Sequence, residues 1–265
     1  MNVYRQELSM SIKSCLYWTF GMLLTQFFFM LMFPAVSKDA AILNQIVSKF
    51  PPALTRALGL TTLDLSTVLG FYSYMFLVIL MVGSVYALKS GTSVLSEEIR
   101  AKTADFLVSK PISRSSIASG KLLSVLSLLV LQIMVYFIGT VIIIKMATGQ
   151  HYDPDILILI NLSLFLVQIY FAALGFLLGV VINRIRSVLP LSLGLVFAFM
   201  VVQMLNQSLA DPKLAYLTPF AYYDLTNIIS GGGYESSFLI TEGILIVMFI
   251  LLAYRIYNRK DLPSI

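Results

Sequence analysis

ILILINLSLFLVQIYFAALGFLLGVVI, residues 156–182, runs twenty-seven residues without an Asp, Glu, Lys or Arg. About 20 apolar residues cross the hydrocarbon core of a bilayer, so this run is long enough to span it as a helix. Five further segments qualify, at 16–36, 65–88, 122–144, 188–205 and 238–257. Backbone exposed to lipid must satisfy its own hydrogen bonds, which makes all six helices. No segment carries Asp, Glu, Lys or Arg at its centre, and the last is the least clean, with Glu242 about one turn inside its outer end.

Composition agrees. Of 265 residues 58% are hydrophobic, and eighteen Phe and twelve Met stand against thirteen acidic residues. With a mean hydropathy of +0.89, too little polar surface remains to cover a water-soluble body. The expected fold class is an all-α membrane protein, one six-helix unit over residues 1–265. The single cysteine, Cys15, excludes an internal disulfide, and one histidine leaves no ligand set for a metal. That histidine, His151, sits beside Asp153 and Asp155 in a short connection and reads as a solvated loop residue.

Charge gives the orientation. Six spans put both termini on one side with thirteen of the eighteen Lys and Arg residues, and with five of the thirteen acids. The two sides carry net charges of +8 and −3, so the positive-inside rule places both termini in the cytoplasm. The overall +5 is thus topological and implies no nucleic acid. A multi-pass protein of a cell membrane, of bacterial plasma-membrane type, is expected.

Before the first span, Tyr4, Leu8 and Ile12 recur every four residues, with Arg5, Glu7 and Lys13 off that stripe. This predicts a separate amphipathic helix on the cytoplasmic face. Ala35-Val36-Ser37 resembles a signal-peptidase site, but the apolar run before it exceeds a signal core, so the span is expected to be retained. Outside, residues 210–237 carry Tyr216, Phe220, Tyr222 and Tyr223, which suit an interfacial aromatic belt.

The most patterned polar segment is SEEIRAKTADFLVSKPISRSS, residues 96–116, between the second and third spans. Leu95, Ile99 and Phe106 form one apolar stripe on a helix expected over about 94–109. Glu97 and Glu98 suit its first turn and Lys110 its end, by the helix dipole. Pro111 stops it, and Ser113 can cap the next helix with Arg114 inside. A short rigid helix carrying both apolar and acidic residues suits a protein partner better than anionic lipid.

These residues resemble the first cytoplasmic loop of the type-2 ATP-binding-cassette (ABC) transporter permeases. The matching parts are Glu97-Glu98, Thr103, Phe106-Leu107, Pro111-Ile112-Ser113-Arg114 and Lys121, and the six spans agree along the whole chain. Lys102-Thr103 stands where that loop commonly has Gly-Thr. The resemblance implies a coupling helix seated on a separate cytoplasmic ATPase, two permease copies working with two ATPase copies, and export of cargo. It assigns Glu97, Glu98, Arg100 and Thr103 as polar dock contacts, Phe106 and Leu107 as an apolar knob, and Pro111 and Arg114 as the exit into the third span. ATP and Mg would belong to the partner ATPase, and this chain would bind no cofactor and be no enzyme. Residues 115–122, SSIASGKL, lack the first Gly and the final Ser or Thr of a phosphate loop.

Other classes fit less well. A proton- or sodium-coupled carrier places carboxylates near the midplane, and an intramembrane enzyme needs a nucleophile and base or a metal. Of the in-span polar residues Gln26, Gln132, Asn161, Gln168, Gln203 and Asn206, each reads first as a link between helices. The resemblance, which brings the first, second and fifth spans near a homodimer axis, favours Gln26, Gln203 and Asn206 for a translocation path. Gly175 and Gly179 form a GxxxG pair suited to packing within the subunit or to a dimer seam. The aromatic, Met-rich spans suit amphipathic or hydrophobic cargo such as a drug, peptide or lipid-like molecule. The alternatives are a non-transporting sensor or assembly component that docks a cytoplasmic partner, or an ion exporter of the same family.

Overall fold

The computed structural model describes residues 3–39, 49–51, 55, 64–101, 113–182, 185–209 and 211–259, with no side chains for 97–101. Among these every regular element is helical. The long helices are α1 (Val3–Lys38), α2 (Val68–Ala101), α3 (Arg114–Thr148), α4 (Pro154–Val181) and α5 (Val188–Leu209). After them come the short α6 (Pro212–Ala215), a 3-10 turn (Pro219–Ala221), α7 (Leu225–Ile229) and the long α8 (Ser236–Arg259). The six long helices, α1 to α5 and α8, are those apolar enough to cross a membrane.

Three of them overrun the expected spans. At 1.5 Å per residue α1, α2 and α3 are each over ~50 Å long, against a hydrocarbon core of ~30 Å. The separate surface helix expected before the first span is instead the opening of α1, unbroken over 36 residues. Tyr4, Leu8 and Ile12 lie on the same stripe as the buried Cys15, Thr19, Met22, Gln26, Met30 and Phe33. Leu8 and Ile12 pack on the core, so the stripe faces helices and not headgroups. The short helix expected from residue 94 likewise begins inside α2, which runs on to Ala101.

Helix ends follow the local chemistry. Ser113 caps α3 by accepting the Ser116 N–H at 3.2 Å, and Gly149 closes it in the left-handed region at φ 57°. Asp153 caps α4 with Pro154 in its first turn. Ahead of α2, the Asp64 carboxylate accepts the Ser66 hydroxyl at 2.6 Å and the Ser66 N–H at 3.0 Å, which holds it below its ordinary pKa.

The core is the seam between α2 and α4, the most extensive contact in the bundle. A Cβ on Gly91 would stand 2.2 Å from the Ala172 carbonyl oxygen, and one on Gly175 would stand 2.4 Å from that of Leu88. One on Gly179 would stand 2.7 Å from the Thr92 carbonyl oxygen. The GxxxG pair is therefore spent inside the subunit. α1 and α3 pack on each other and flank this seam, while α5 and α8 are peripheral.

Buried amides link the helices. Gln168 Nε2 donates to Gln132 Oε1 at 3.0 Å and to the Gly83 carbonyl at 3.3 Å. The Thr140 hydroxyl donates to Gln26 Oε1 at 3.0 Å, and that of Tyr72 to Asn161 Oδ1 at 3.1 Å.

An added methyl at Gly91 or Gly175 must push two backbones apart. Gly91→Ala and Gly175→Ala should each lower stability by about 1–3 kcal/mol, the range for overpacking. Gly194→Ala, which meets nothing within 4 Å, should leave it unchanged. Thermal unfolding in detergent, followed by size-exclusion, checks this.

Candidate functional site: the root of the polar loop and the re-entrant hairpin

The polar loop leaves α2 and returns to α3, and its return point is a junction of four helices. Lys121, two turns into α3 and only 1% exposed, donates to Glu7 of α1 at 2.6 Å and to the Val94 carbonyl of α2 at 2.6 Å. Val94 precedes Glu97 by three residues, so one ammonium ties both ends of the loop to the start of α1. A Cβ added at Gly120 would just touch the start of α1, 3.5 Å from the Tyr4 nitrogen, and the Tyr4 hydroxyl donates to Ser127. On the opposite flank Ser119 and Tyr254 share a 2.8 Å hydrogen bond, and Ser115 pairs with Asn258, both fastening α3 to α8. Side-chain contacts thus join α1, α2, α3 and α8 around Lys121 and the first turns of α3.

The expected docking residues fall around this junction. Glu97, Glu98 and Arg100 are in the last turns of α2, their side chains outside the described part. Thr103, Phe106, Leu107 and Pro111 lie outside the described residues altogether. Arg114 is the first residue of α3, directly after its cap. The expected path residues are not brought together. Gln26 is buried between α1 and α3, while Gln203 and Asn206 are on α5, which packs on α2. Gln203 is buried and its amide oxygen has no partner.

Sequence reading missed the pairing of Glu7 with Lys121. The residues are 114 positions apart, and nothing local to either one points to the other.

The connection from α5 to α8 also departs from expectation. The Thr218 hydroxyl donates to the Phe199 carbonyl at 3.1 Å, ten residues or ~15 Å back from the end of α5. Phe220 packs on Phe171 with ring centroids 5.4 Å apart, seventeen residues or ~25 Å along α4 from its start. The Tyr234 hydroxyl then reaches the Leu159 carbonyl near the start of α4. Residues 211–235 therefore dip between the helices and climb out again. Phe220, Tyr222 and Tyr223 are buried in protein, and of the expected interfacial aromatics only Tyr216 is substantially exposed.

Such backbone is tolerated at depth only when its polar groups are satisfied internally. Asp211, Thr218 and Asp224 each cap a short helix of the hairpin, and the Tyr222 hydroxyl donates to the Tyr216 carbonyl at 2.9 Å. Gly231 and Gly233 make the exit turn with φ of 84° and 67°. Behind the hairpin lies Glu242 of α8, 2% exposed, with one carboxylate oxygen receiving the Tyr223 hydroxyl and the other without a partner. Among the described residues no group of His, Cys, Asp and Glu is arranged to hold a metal.

Removing Lys121 strands the Glu7 carboxylate. Lys121→Met should cost about 3 kcal/mol, the lower end for breaking a buried pair because Glu7 keeps some solvent. Glu7→Gln, which retains an acceptor for the ammonium, should cost less. Chemical unfolding in detergent measures both, and equal losses would contradict the geometry.

No curated protein sequence matches the chain. The family profile described as ABC-2 family transporter protein matches residues 1–262, essentially the whole length. With six membrane-crossing helices on the page, the chain belongs to the ABC-2 transporter family of membrane proteins.

Proposed function

We propose that this chain is the membrane-spanning permease subunit of an ABC exporter, with ATP hydrolysed by a separate cytoplasmic ATPase that docks on residues 97–112. Two permease copies and two ATPase copies make the working unit, and the cargo is amphipathic or hydrophobic. Family membership supports the transporter class. The observation that carries the coupling is Lys121, which joins both ends of the loop to α1 within one hydrogen-bond shell. A loop fastened in this way moves with the helices and not independently of them.

In this reading ATP binding closes the ATPase pair and displaces the loop. Phe106 and Leu107 seat in the ATPase, Glu97, Glu98, Arg100 and Thr103 hold its rim, and Pro111 and Arg114 keep the exit into α3 stiff. Lys121 passes the displacement to α1, while Ser115 and Ser119 pass it to α8. A sensor that docks a partner would use the same loop, but it has no use for one junction that drives four spans.

Charge reversal at Glu98 combined with Phe106→Ala should abolish both co-purification of the ATPase and transport in proteoliposomes. Retention of both would overturn the docking assignment. For the path, Gln203→Leu and Asn206→Leu should alter cargo preference while leaving assembly intact. Gln26→Leu removes the acceptor of the Thr140 hydroxyl and should add a loss of stability to any change in cargo. Transport profiles set beside melting curves separate these outcomes.

A further inference from the structure

Glu242 is a carboxylate in a place where lipid and protein leave it almost nothing to interact with. It lies six residues, ~9 Å, inside the outer end of α8. It is 2% exposed and faces α4 and the re-entrant hairpin. A charge at membrane depth is strongly unfavourable unless it is paired, and for that reason marks function. Yet the ion pair among the described residues is Glu7–Lys121, at the opposite end of the bundle. The Tyr223 hydroxyl holds one oxygen, and the other has neither a donor nor solvent.

The surroundings are aromatic. Tyr223, which bonds the carboxylate, packs edge-on against Tyr234 with ring centroids 5.1 Å apart. Phe249, two turns further along α8, packs on Tyr170 at 5.6 Å between centroids. Ring faces attract cations through their quadrupole. Alkali and alkaline-earth ions need a shell of several oxygens, and here the hydroxyl of Tyr223 is the only described oxygen bonded to the carboxylate. A weakly hydrated organic cation that brings its own N–H donors meets both needs. It offers a proton to the unpartnered oxygen and a positive charge to the rings.

We infer that Glu242 and the tyrosines around it form the binding site for the protonated amine of a cationic, amphipathic cargo. The site narrows the cargo class of the exporter and rests on that reading only for the word cargo. The amine binds Glu242 from beneath the hairpin, and Tyr223 yields or shares its hydrogen bond as the cation arrives. The site sits between α4, α8 and the hairpin, and α8 is tied to the loop junction through Tyr254 and Asn258. A movement of the loop therefore has a mechanical route to the amine.

The test uses the purified full-length permease in lipid nanodiscs, without ATPase, and radiolabelled tryptamine as the probe. Saturable binding is expected, weakened about tenfold or more in Glu242→Gln, where the charge-assisted hydrogen bond is lost. Glu242→Asp, which keeps the charge, should recover most of it. Neutral 3-ethylindole should not compete, nor should sodium or potassium at matched concentration. The proposal is overturned if the wild-type chain shows no saturable binding, if Glu242→Gln binds equally well, or if alkali cations displace the probe. Should Glu242→Gln fail to fold, competition on the wild-type chain decides: displacement by 3-ethylindole as effective as by unlabelled tryptamine would exclude recognition of the charge. ATPase co-purification is scored separately, so its failure removes the docking assignment without touching the amine site.

Discussion

In a bilayer, helices gain nothing by hiding apolar side chains from one another, because lipid tails are equally apolar. What holds this bundle is close backbone approach, and it is concentrated where α2 meets α4. Gly91 and Gly175 let each helix lay its backbone against the carbonyls of the other, at Ala172 and Leu88. Dispersion across that contact, with the side-chain bond from Gln168 to the Gly83 carbonyl, makes α2 and α4 the fixed pair of the structure. Tyr72 and Asn161 add a second bond within that pair, α3 is joined to it through Gln132 and Gln168, and α1 is joined to α3 through Gln26 and Thr140. α5 and α8 keep most of their surface for lipid or for another chain.

The polar loop inherits this arrangement. It follows α2, the helix with the deepest packing, and precedes α3, which begins behind a serine cap. Lys121 closes the gap between those two helices and reaches α1. The pieces furthest from the α2–α4 seam, α8 and the hairpin before it, carry the one buried carboxylate that lacks a counter-charge among the described residues.

Much of this was legible in the sequence, for reasons that also explain what was not. All six spans follow from apolar length, because the hydrocarbon core sets a minimum that no soluble helix must meet. Their ends did not follow. Polar residues such as Lys89 and Ser90 do not break a helix, and α2 runs through them to Ala101. The stripe of Tyr4, Leu8 and Ile12 was visible, but periodicity cannot distinguish a face against headgroups from a face against α3. Ser113 was readable as a cap because capping is local. Glu7 with Lys121 was not, because that contact is made by folding. The hairpin was misread because Asp, Pro and Gly look like an exposed loop in any local window. Its depth depends on α4, α5 and α8 having already formed its walls.

The hairpin therefore carries a timetable. Residues 211–235 include Asp211, Lys213, Asp224 and Glu235, and no part of them is apolar enough to enter lipid unaided. The segment can only be drawn inward once α8 has inserted and closed a protein-lined slot beside α4. Until then its polar groups belong in water, and afterwards Thr218, Phe220 and Tyr234 replace those contacts. The half of the bundle that holds the hairpin is thus completed after α8 is in place. A chain with all six helices correctly threaded but the hairpin still outside would be a distinct, immature form. In that form Glu242, now covered by the hairpin, would lie open to water.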